Sequence, residues 1–297
     1  MSSPGLPTLD QLRIFRMVNE EGGFAAAARK LNRAVSAISY GVANLESQLG
    51  LELFDRTSPR RPRLTTAGEA MLGEARRITS DVDLMVARAR GLIDGLEAEL
   101  SIVVDVMFPA DLLGDILRRF ADHFPTVALR LHVEALGAIA EKLIAREAAV
   151  GICGPLATDF DELDRLCCGS VELVPVCAPE HPLAAAAPLR PGEAREHFQL
   201  VLSDRSSLTD GRSFAVQGDR IWRLADLGAK HLMLREGIGW GNMPLPMVAD
   251  DIKAGRLVKL EGGDLRPVQY DFNIAWRRDY QSGPAGQWFA DAIHRLA

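Results

Sequence analysis

The sequence predicts a chain of mixed α+β and α/β class: an N-terminal winged helix-turn-helix, a long helix, and a C-terminal two-lobed α/β domain. Three observations predict this order. A short helix-turn-helix pattern precedes an arginine-rich hairpin, an apolar heptad seam follows, and from Glu99 onward strand and helix signals alternate. With 297 residues, 47% of them hydrophobic, the chain is long enough for a small module and a larger domain.

The N-terminal module contains two short helices joined by a turn. The alanine-rich stretch from Phe24 to Leu31 favours helix, short polar residues interrupt it, and a second helix starts near Ser36. Apolar residues of the second helix recur at spacings of four, three and four, which gives one buried face: Ile38, Val42, Leu45 and Leu49. Gly50 suits the C-cap. The opposite face carries Ser36, Ser39, Tyr40, Ala43 and Ser47.

An arginine-rich segment follows the second helix. Four cations lie within eight residues, and Pro59 and Pro62 disfavour helix and favour a two-stranded turn; the cations are Arg56, Arg60, Arg61 and Arg63. A hairpin of that charge suits the phosphates of nucleic acid. The alternative for the whole module is an ordinary helical core beside a solvated arginine run.

The pattern as a whole resembles the winged helix-turn-helix of LysR-type transcriptional regulators. The matching residues are Ala27, Ala28, Leu31, Ser39, Leu45, Glu46, Leu49, Gly50, Leu53, Phe54, Arg56 and the run Leu64-Thr65-Thr66-Ala67-Gly68. The resemblance implies that the second helix enters the major groove of double-stranded DNA while the hairpin holds phosphates. The expected DNA-binding residues are Ser36, Ala37, Ser39, Tyr40, Asn44, Arg56, Arg60, Arg61, Arg63 and Thr65.

The reading surface departs from the family pattern. Gly23 and Ala34 stand where hydroxyl caps are common, and Tyr40-Gly41 stands where long polar side chains are common. The helix therefore has few groups for paired hydrogen bonds to guanine or adenine. We expect the hairpin and DNA shape to carry more of the recognition than usual.

Charge is divided unevenly along the chain, whose net charge is -6. Residues 1–95 contain 13 Lys and Arg against 11 Asp and Glu, a net of +2, and the remainder contains 21 against 29, a net of -8. The N terminus lacks the basic and apolar regions of a secretion signal, and no apolar stretch reaches transmembrane length. We expect a cytoplasmic protein without a membrane partner.

A heptad seam follows the hairpin. Its apolar residues alternate steps of four and three: Met71, Ala75, Ile78, Val82, Met85, Ala89, Leu92 and Leu96. Pairing with a second copy is the favoured interpretation, through Met71, Ile78, Val82, Met85 and Leu92; covering by the chain's own C-terminal domain is the alternative. A dimer implies a quasi-palindromic operator. Family resemblance further implies a homotetramer, with RNA polymerase as a candidate partner.

From Glu99 the chain predicts a β-α-β-α-β unit and then a second α/β set. The first unit comprises strands 100–106, 127–133 and 149–153 and helices 112–124 and 138–146. The second comprises strands 171–177 and 199–202 and helices 224–235 and 245–254, with a strand at 272–276 and a closing helix at 285–296. Two such lobes resemble the type 2 periplasmic-binding-protein-like effector domain of the LysR family, with a ligand site in their cleft. The expected boundaries are 1–66 for the winged helix-turn-helix, 67–98 for the linker helix, and 99–297 for the effector-binding domain, with lobe I at 99–164 and 269–297 and lobe II at 165–268.

The expected cleft departs from relatives that bind carboxylates through Ser or Thr. Asp105 stands at the end of the first strand, and Ala135-Leu136 follows the second. A carboxylate repels anions, so we expect a neutral or cationic small-molecule effector, with Phe108 as an aromatic surface. The alternative is that Asp105 pairs with an internal arginine and caps the next helix. The expected contacts are Asp105, Met107, Phe108, Pro109, Ser203, Asp204, Arg205, Gly241 and Asn242.

Other chemistries have little support. Cys153, Cys167, Cys168 and Cys177 lack metal-ligand spacing and do not resemble the cysteine pair of peroxide-sensing relatives, so small buried hydrophobes are favoured over a thiol switch. Gly237-x-Gly239-x-Gly241 is not a dinucleotide fingerprint, and no catalytic motif is present. No catalytic residue, metal site or cofactor is expected. The alternatives to a regulator are a DNA-organising protein without an effector and an enzyme with a dispersed active site.

Overall fold

A computed structural model of the chain describes residues 5–55, 62–156, 160–186, 188–203, 205–206, 208 and 215–295. The chain forms two compact units, Met1–Gly91 and Leu92–Ala297. Each unit has a hydrophobic core of its own. Among the described helices, none combines the length and apolar character that a bilayer crossing requires.

Three helices open the first unit: α1 (Leu9–Glu20), α2 (Phe24–Lys30) and α3 (Val35–Leu49). The predicted pair of helices corresponds to α2 and α3, and α1 was not predicted. A local signal for α1 was present, because Thr8 and Gln11 form a reciprocal capping box at its start. Phe15 of α1 is fully buried and packs edge-on against Phe54, so α1 supplies part of the core that supports the other two helices.

The ends of the two predicted helices follow from their residues. α2 and α3 begin after Gly23 and Ala34, neither of which offers a side-chain cap. Gly50 ends α3 with a φ of 68°, which confirms the predicted left-handed C-cap. Two short antiparallel strands follow, β1 (Phe54–Asp55) and β2 (Arg63–Leu64). They confirm the base of the predicted hairpin.

A 28-residue helix, α4 (Thr66–Ile93), follows the hairpin. Its first turns carry buried side chains: Leu72, Ala75 and Thr79. Farther along, two residues of the predicted seam are open to solvent in the single chain, Met85 at 62% and Leu92 at 57% exposure. At these two positions the seam presents apolar side chains that the described residues leave largely exposed.

The second unit is built on one mixed sheet. Its strands are β3 (Glu99–Asp105), β4 (Ala128–Glu134), β5 (Val150–Cys153), β6 (Leu163–Cys177), β7 (Phe198–Leu202), β8 (Arg220–Leu224), β9 (Trp240–Pro244), β10 (Val258–Lys259) and β11 (Val268–Arg277). Its helices are α5 (Ala110–His123), α6 (Gly137–Ile144), α7 (Pro182–Ala185), α8 (Leu227–Arg235), α9 (Leu245–Lys253) and α10 (Pro284–His294). The described strands lie in the order β4-β3-β5-β11-β6-β9-β7-β8, and β10 pairs with β6.

Two long strands join the halves of this sheet. β3 pairs in parallel with β4 and β5, which confirms the predicted β-α-β-α-β unit. β11 pairs with β5 on one side and β6 on the other, and β6 continues to pair with β9. The antiparallel pair of β6 and β11 therefore connects two α/β halves, as expected for a domain of two lobes.

The second half differs from the prediction at the start of α8 and in the glycine-rich segment, and its strands β8 and β10 were not predicted. The predicted helix 224–235 begins too early, because Leu224 ends β8 and Asp226 caps α8 by accepting a hydrogen bond from the Ala229 N–H at 2.6 Å. The glycine-rich segment has a composition that favours turns, but Trp240–Pro244 is strand β9. Its glycine permits close packing of strands, since a Cβ at Gly241 would stand 2.6 Å from the Leu200 carbonyl oxygen.

Candidate functional site

The exposed face of α3 forms the first candidate site. Ser36, Ala37, Ser39 and Tyr40 are exposed, with Tyr40 at 69%, while Asn44 is half-buried. Ile38, Val42 and Leu45 are buried on the other side, as the spacing predicts. The helix thus presents small polar side chains and one phenol to solvent.

A carboxylate fixes the hairpin to α3. Glu46 of α3 accepts hydrogen bonds from the backbone N–H groups of Leu53 and Phe54, at 2.8 and 3.2 Å. Gly68 permits the same packing, because a Cβ there would stand 2.1 Å from the Leu53 carbonyl oxygen. Two residues of the family motif therefore act by setting the position of β1 beside α3.

The predicted phosphate contacts lie on and around the hairpin. Arg63 is exposed on β2. The Thr65 hydroxyl donates to the Glu52 carbonyl at 2.6 Å and accepts from the Gly68 N–H at 2.9 Å, so it already serves the start of α4. Arg56, Arg60 and Arg61 lie outside the described residues.

A cavity of about 190 Å³ in the second unit forms the second candidate site. Its lining is largely apolar and comes from both halves of the sheet: Asp105, Met107, Ala135, Leu136, Leu173, Gln199, Leu200, Val201, Leu202, Ala215, Lys230, Asn242, Val268 and Tyr270. The volume lies below the range of about 300–1,000 Å³ typical of pockets for drug-sized ligands. The cavity therefore suits a small ligand.

Asp105 is a buried acid in this cavity. Its Oδ1 accepts from the Met107 N–H at 2.9 Å, and its Oδ2 accepts from the Tyr270 hydroxyl at 2.7 Å. Burial raises the pKa of Asp105 to about 6, and hydrogen bonds from Met107, Tyr270 and Gly154 oppose the rise. The partners are thus a tyrosine and backbone N–H groups, instead of the internal arginine considered from the sequence.

Tyr270 is held in place as a donor. Burial and the neighbouring Asp105 carboxylate raise the pKa of its phenol well above the ordinary value, so the hydroxyl keeps its proton. Gly154 makes room for it, because a Cβ at that position would stand 2.0 Å from the Tyr270 oxygen. A strand of one half and the strand β11 therefore meet at a specific hydrogen bond beside the cavity.

Lys230 is a buried base in the same cavity. Its side chain lies on α8 and the residue is 3% exposed. The Nζ atom donates to the Asn242 carbonyl oxygen at 2.6 Å. Burial lowers the pKa of Lys230 to about 8, which leaves the ammonium as the main form at neutral pH.

Gln199 ties a connecting segment to the cavity wall. Its Oε1 accepts from the N–H groups of Gln217 and Gly218, each at 2.8 Å, and its Nε2 donates to the Ala215 carbonyl at 2.8 Å. The side-chain oxygen therefore accepts two hydrogen bonds and the side-chain nitrogen donates one, and together they hold residues 215–218 in place.

The predicted effector contacts fall into two groups. Asp105, Met107 and Asn242 line the cavity. Phe108 lies instead in the core, with its ring 5.1 Å from that of Phe272, and the Arg205 guanidinium reaches the Ala225 carbonyl at 3.3 Å. Pro109, Ser203 and Gly241 are also outside the lining set, and Asp204 lies outside the described residues.

Three residues of the cavity lining were not predicted as site residues: Lys230, Tyr270 and Gln199. Lys230 had a usable signal, because it falls between Leu227 and Leu234 at helical spacing and therefore on the buried face of α8. Tyr270 and Gln199 had none, since their contacts depend on how distant strands pair.

The cysteines match the expectation for small buried residues in three of four cases. Cys153, Cys168 and Cys177 are buried, whereas Cys167 is exposed. Burial raises the pKa of the Cys168 and Cys177 thiols to about 12 and that of Cys153 further. These three thiols are therefore poor nucleophiles at neutral pH.

Comparison with known proteins gives the same two units. The family of bacterial regulatory helix-turn-helix proteins, lysR family, matches residues 9–69, and the LysR substrate binding domain matches residues 94–297. The chain is 31% identical to the uncharacterized HTH-type transcriptional regulator YeeY of Escherichia coli K12, over 97% of this chain and 93% of that protein. It is 29% identical to the probable HTH-type transcriptional regulator YhaJ of the same organism, over 97% and 96%.

Solved structures show the same fold at lower identity. CrgA of Neisseria meningitidis, a LysR-type transcriptional regulator, aligns with a TM-score of 0.52 and 22% identity over 97% of this chain and 98% of that one. Full-length LysG of Corynebacterium glutamicum with its bound effector Arg aligns with a TM-score of 0.51 and 20% identity over 97% of each chain. From its two matched domains and its full-length relatives, the chain belongs to the LysR family of transcriptional regulators.

Proposed function

We propose that this regulator binds a quasi-palindromic operator as a dimer, through α3 and the hairpin, and that a small effector in the cavity changes this binding. The exposed face of α3 beside a hairpin held by Glu46 is the observation that carries the DNA-binding part. Small side chains and Tyr40 can follow the groove, while Arg63 and the preceding arginines supply phosphate contacts.

Self-association is supported by the seam on α4. Met85 and Leu92 are exposed apolar residues at heptad spacing, and a second copy of the helix would cover them. Two α3 helices would then face two half-sites. Assembly into a homotetramer, a cytoplasmic location and contact with RNA polymerase belong to the same proposal and are supported by the family alone.

Selection from random double-stranded DNA tests the DNA-binding part. The full-length protein should enrich a symmetric motif, and footprinting should then show discrete protected half-sites. Arg63→Ala should weaken binding to enriched and random DNA alike and reduce the salt slope by about one unit. The matched control is Arg77→Ala, which removes an exposed arginine of α4 that pairs with Glu74.

The alternatives have distinct outcomes in that experiment. Uniform coating without enrichment favours a DNA-organising protein. Absence of DNA binding by the full-length protein contradicts the proposal and favours the alternative of an enzyme with a dispersed active site.

A further inference from the structure

Lys230 reaches the cavity along a path built for it. A Cβ on Gly241 would stand 3.1 Å from the Lys230 Cε and 2.6 Å from the Leu200 carbonyl oxygen. Glycine in β9 therefore leaves the space that the lysine side chain occupies. Asn242, whose carbonyl accepts from Nζ, lines the cavity beside it.

The ammonium has unused donors. A lysine ammonium carries three N–H groups, and the described residues supply one acceptor, the Asn242 carbonyl. Among the described residues, the contact of Nζ is this carbonyl, and no ion pair joins it to a carboxylate. Burial lowers its pKa, and no acidic group among the described residues acts to raise it. A buried cation in this condition is costly unless a ligand completes its shell.

Two other polar side chains of the cavity, Asp105 and Gln199, have more of their hydrogen-bonding capacity occupied. Asp105 receives hydrogen bonds from Met107 and Tyr270, and Gln199 is engaged by residues 215–218. Of these three side chains, the Lys230 ammonium therefore most needs further hydrogen-bond acceptors from a ligand. An anionic group supplies them through charge-assisted hydrogen bonds.

We infer that the effector is a small monocarboxylate whose carboxylate binds the Lys230 ammonium and whose apolar body packs on Leu173, Leu200 and Val268. The Asp105 carboxylate in the same lining is already held by hydrogen bonds from Met107 and Tyr270. One cation in a largely apolar lining therefore suits one negative charge better than a strongly hydrated dianion. The inference rests on the proposed effector function of this cavity. It replaces the neutral or cationic ligand expected from Asp105, because that expectation did not include Lys230.

Ligand panels on the full-length protein test the inference. Pentanoate, hexanoate, benzoate and phenylacetate are compared with their primary amides and with pentylamine and benzylamine, at millimolar concentration and neutral pH. Tryptophan fluorescence during thermal unfolding is a suitable readout, because all four tryptophans lie in the second unit: Trp222, Trp240, Trp276 and Trp288. At least one carboxylate should raise the midpoint temperature of unfolding, and its primary amide should not.

Variants locate the binding group. Lys230→Met should lower the affinity for the active carboxylate by roughly tenfold or more, in line with loss of a hydrogen bond to a charged group. Lys253→Met, which removes an exposed lysine of α9, should leave that affinity unchanged. The comparison of acid with amide on the unmodified protein keeps the inference testable if Lys230→Met does not fold.

Three results would overturn the inference: no shift by any carboxylate, equal shifts by acids and amides, or unchanged carboxylate affinity in a folded Lys230→Met protein. Shifts by the amines alone would restore the expectation drawn from Asp105. DNA selection with the same preparation separates these failures from failure of the proposed function, since an enriched operator would leave the regulator intact and reject only the ligand class.

Discussion

Replacement of Lys230 by methionine should stabilise the second unit at neutral pH. The folded chain lowers the pKa of Lys230 from 10.5 to about 8. At about 1.4 kcal/mol per pKa unit, this shift means that the buried ammonium costs about 3 kcal/mol at pH 7. Loss of the hydrogen bond to Asn242 removes roughly 1 kcal/mol of the benefit. The net expected gain is about 2 kcal/mol for Lys230→Met.

The sign of the pH dependence follows from proton binding. Between about pH 8 and 10.5 the unfolded chain binds more protons at Lys230 than the folded chain, so the stability of the unmodified protein rises with pH. The advantage of Lys230→Met should therefore fall from about 2 kcal/mol at about pH 7 to near zero at about pH 9.5.

Urea unfolding followed by tryptophan fluorescence measures this difference in the full-length protein, because the four tryptophans report on the second unit. The control, Lys253→Met, should stay within about 0.5 kcal/mol of the unmodified protein at both pH values. A variant at position 230 that is less stable at neutral pH, or whose advantage does not change with pH, would refute the reasoning about a buried, uncompensated charge.

Three further perturbations test other parts of the account. Burial raises the folded pKa of Asp105 from 3.8 to about 6, so stability should fall by up to about 3 kcal/mol as pH rises through that window; Asp105→Asn should flatten the fall in urea titrations. Glu46→Ala should cost roughly 1–3 kcal/mol and weaken binding to all DNA sequences in mobility shifts, whereas unchanged stability would contradict its role at Leu53 and Phe54. Arg61→Ala should reduce the salt slope by about one unit; altered preference at one base with an unchanged slope would argue against a phosphate contact.

Local patterns predicted the elements that short-range chemistry controls. The buried face of α3 followed from its spacing, and Gly50 ended that helix because glycine adopts positive φ without steric cost. The parallel unit of β3, β4 and β5 followed from alternating apolar runs and helical segments. These features depend on residues close together in the chain.

Strand β9 and much of the cavity depend on distant pairing. Gly239 and Gly241 have the composition of a loop, yet they lie where β9 meets β7, and a Cβ at Gly239 would stand 2.3 Å from the Phe198 carbonyl oxygen. Tyr270 of β11 donates a hydrogen bond to Asp105, which lies 165 residues earlier in the chain. This contact forms because β11 pairs with β5. Asp105 was correctly predicted at a strand end. The charge of the ligand could not be predicted from Asp105 alone, because Lys230 lines the same cavity.

Footprinting of the selected operator with and without the active carboxylate tests the central claim most directly, namely that one chain couples a ligand cavity to DNA binding. We expect discrete protected half-sites whose affinity or extent changes when the ligand is added, and no such change in Lys230→Met. Protection that is uniform along the DNA, or a footprint that a bound carboxylate leaves unaltered, would contradict it.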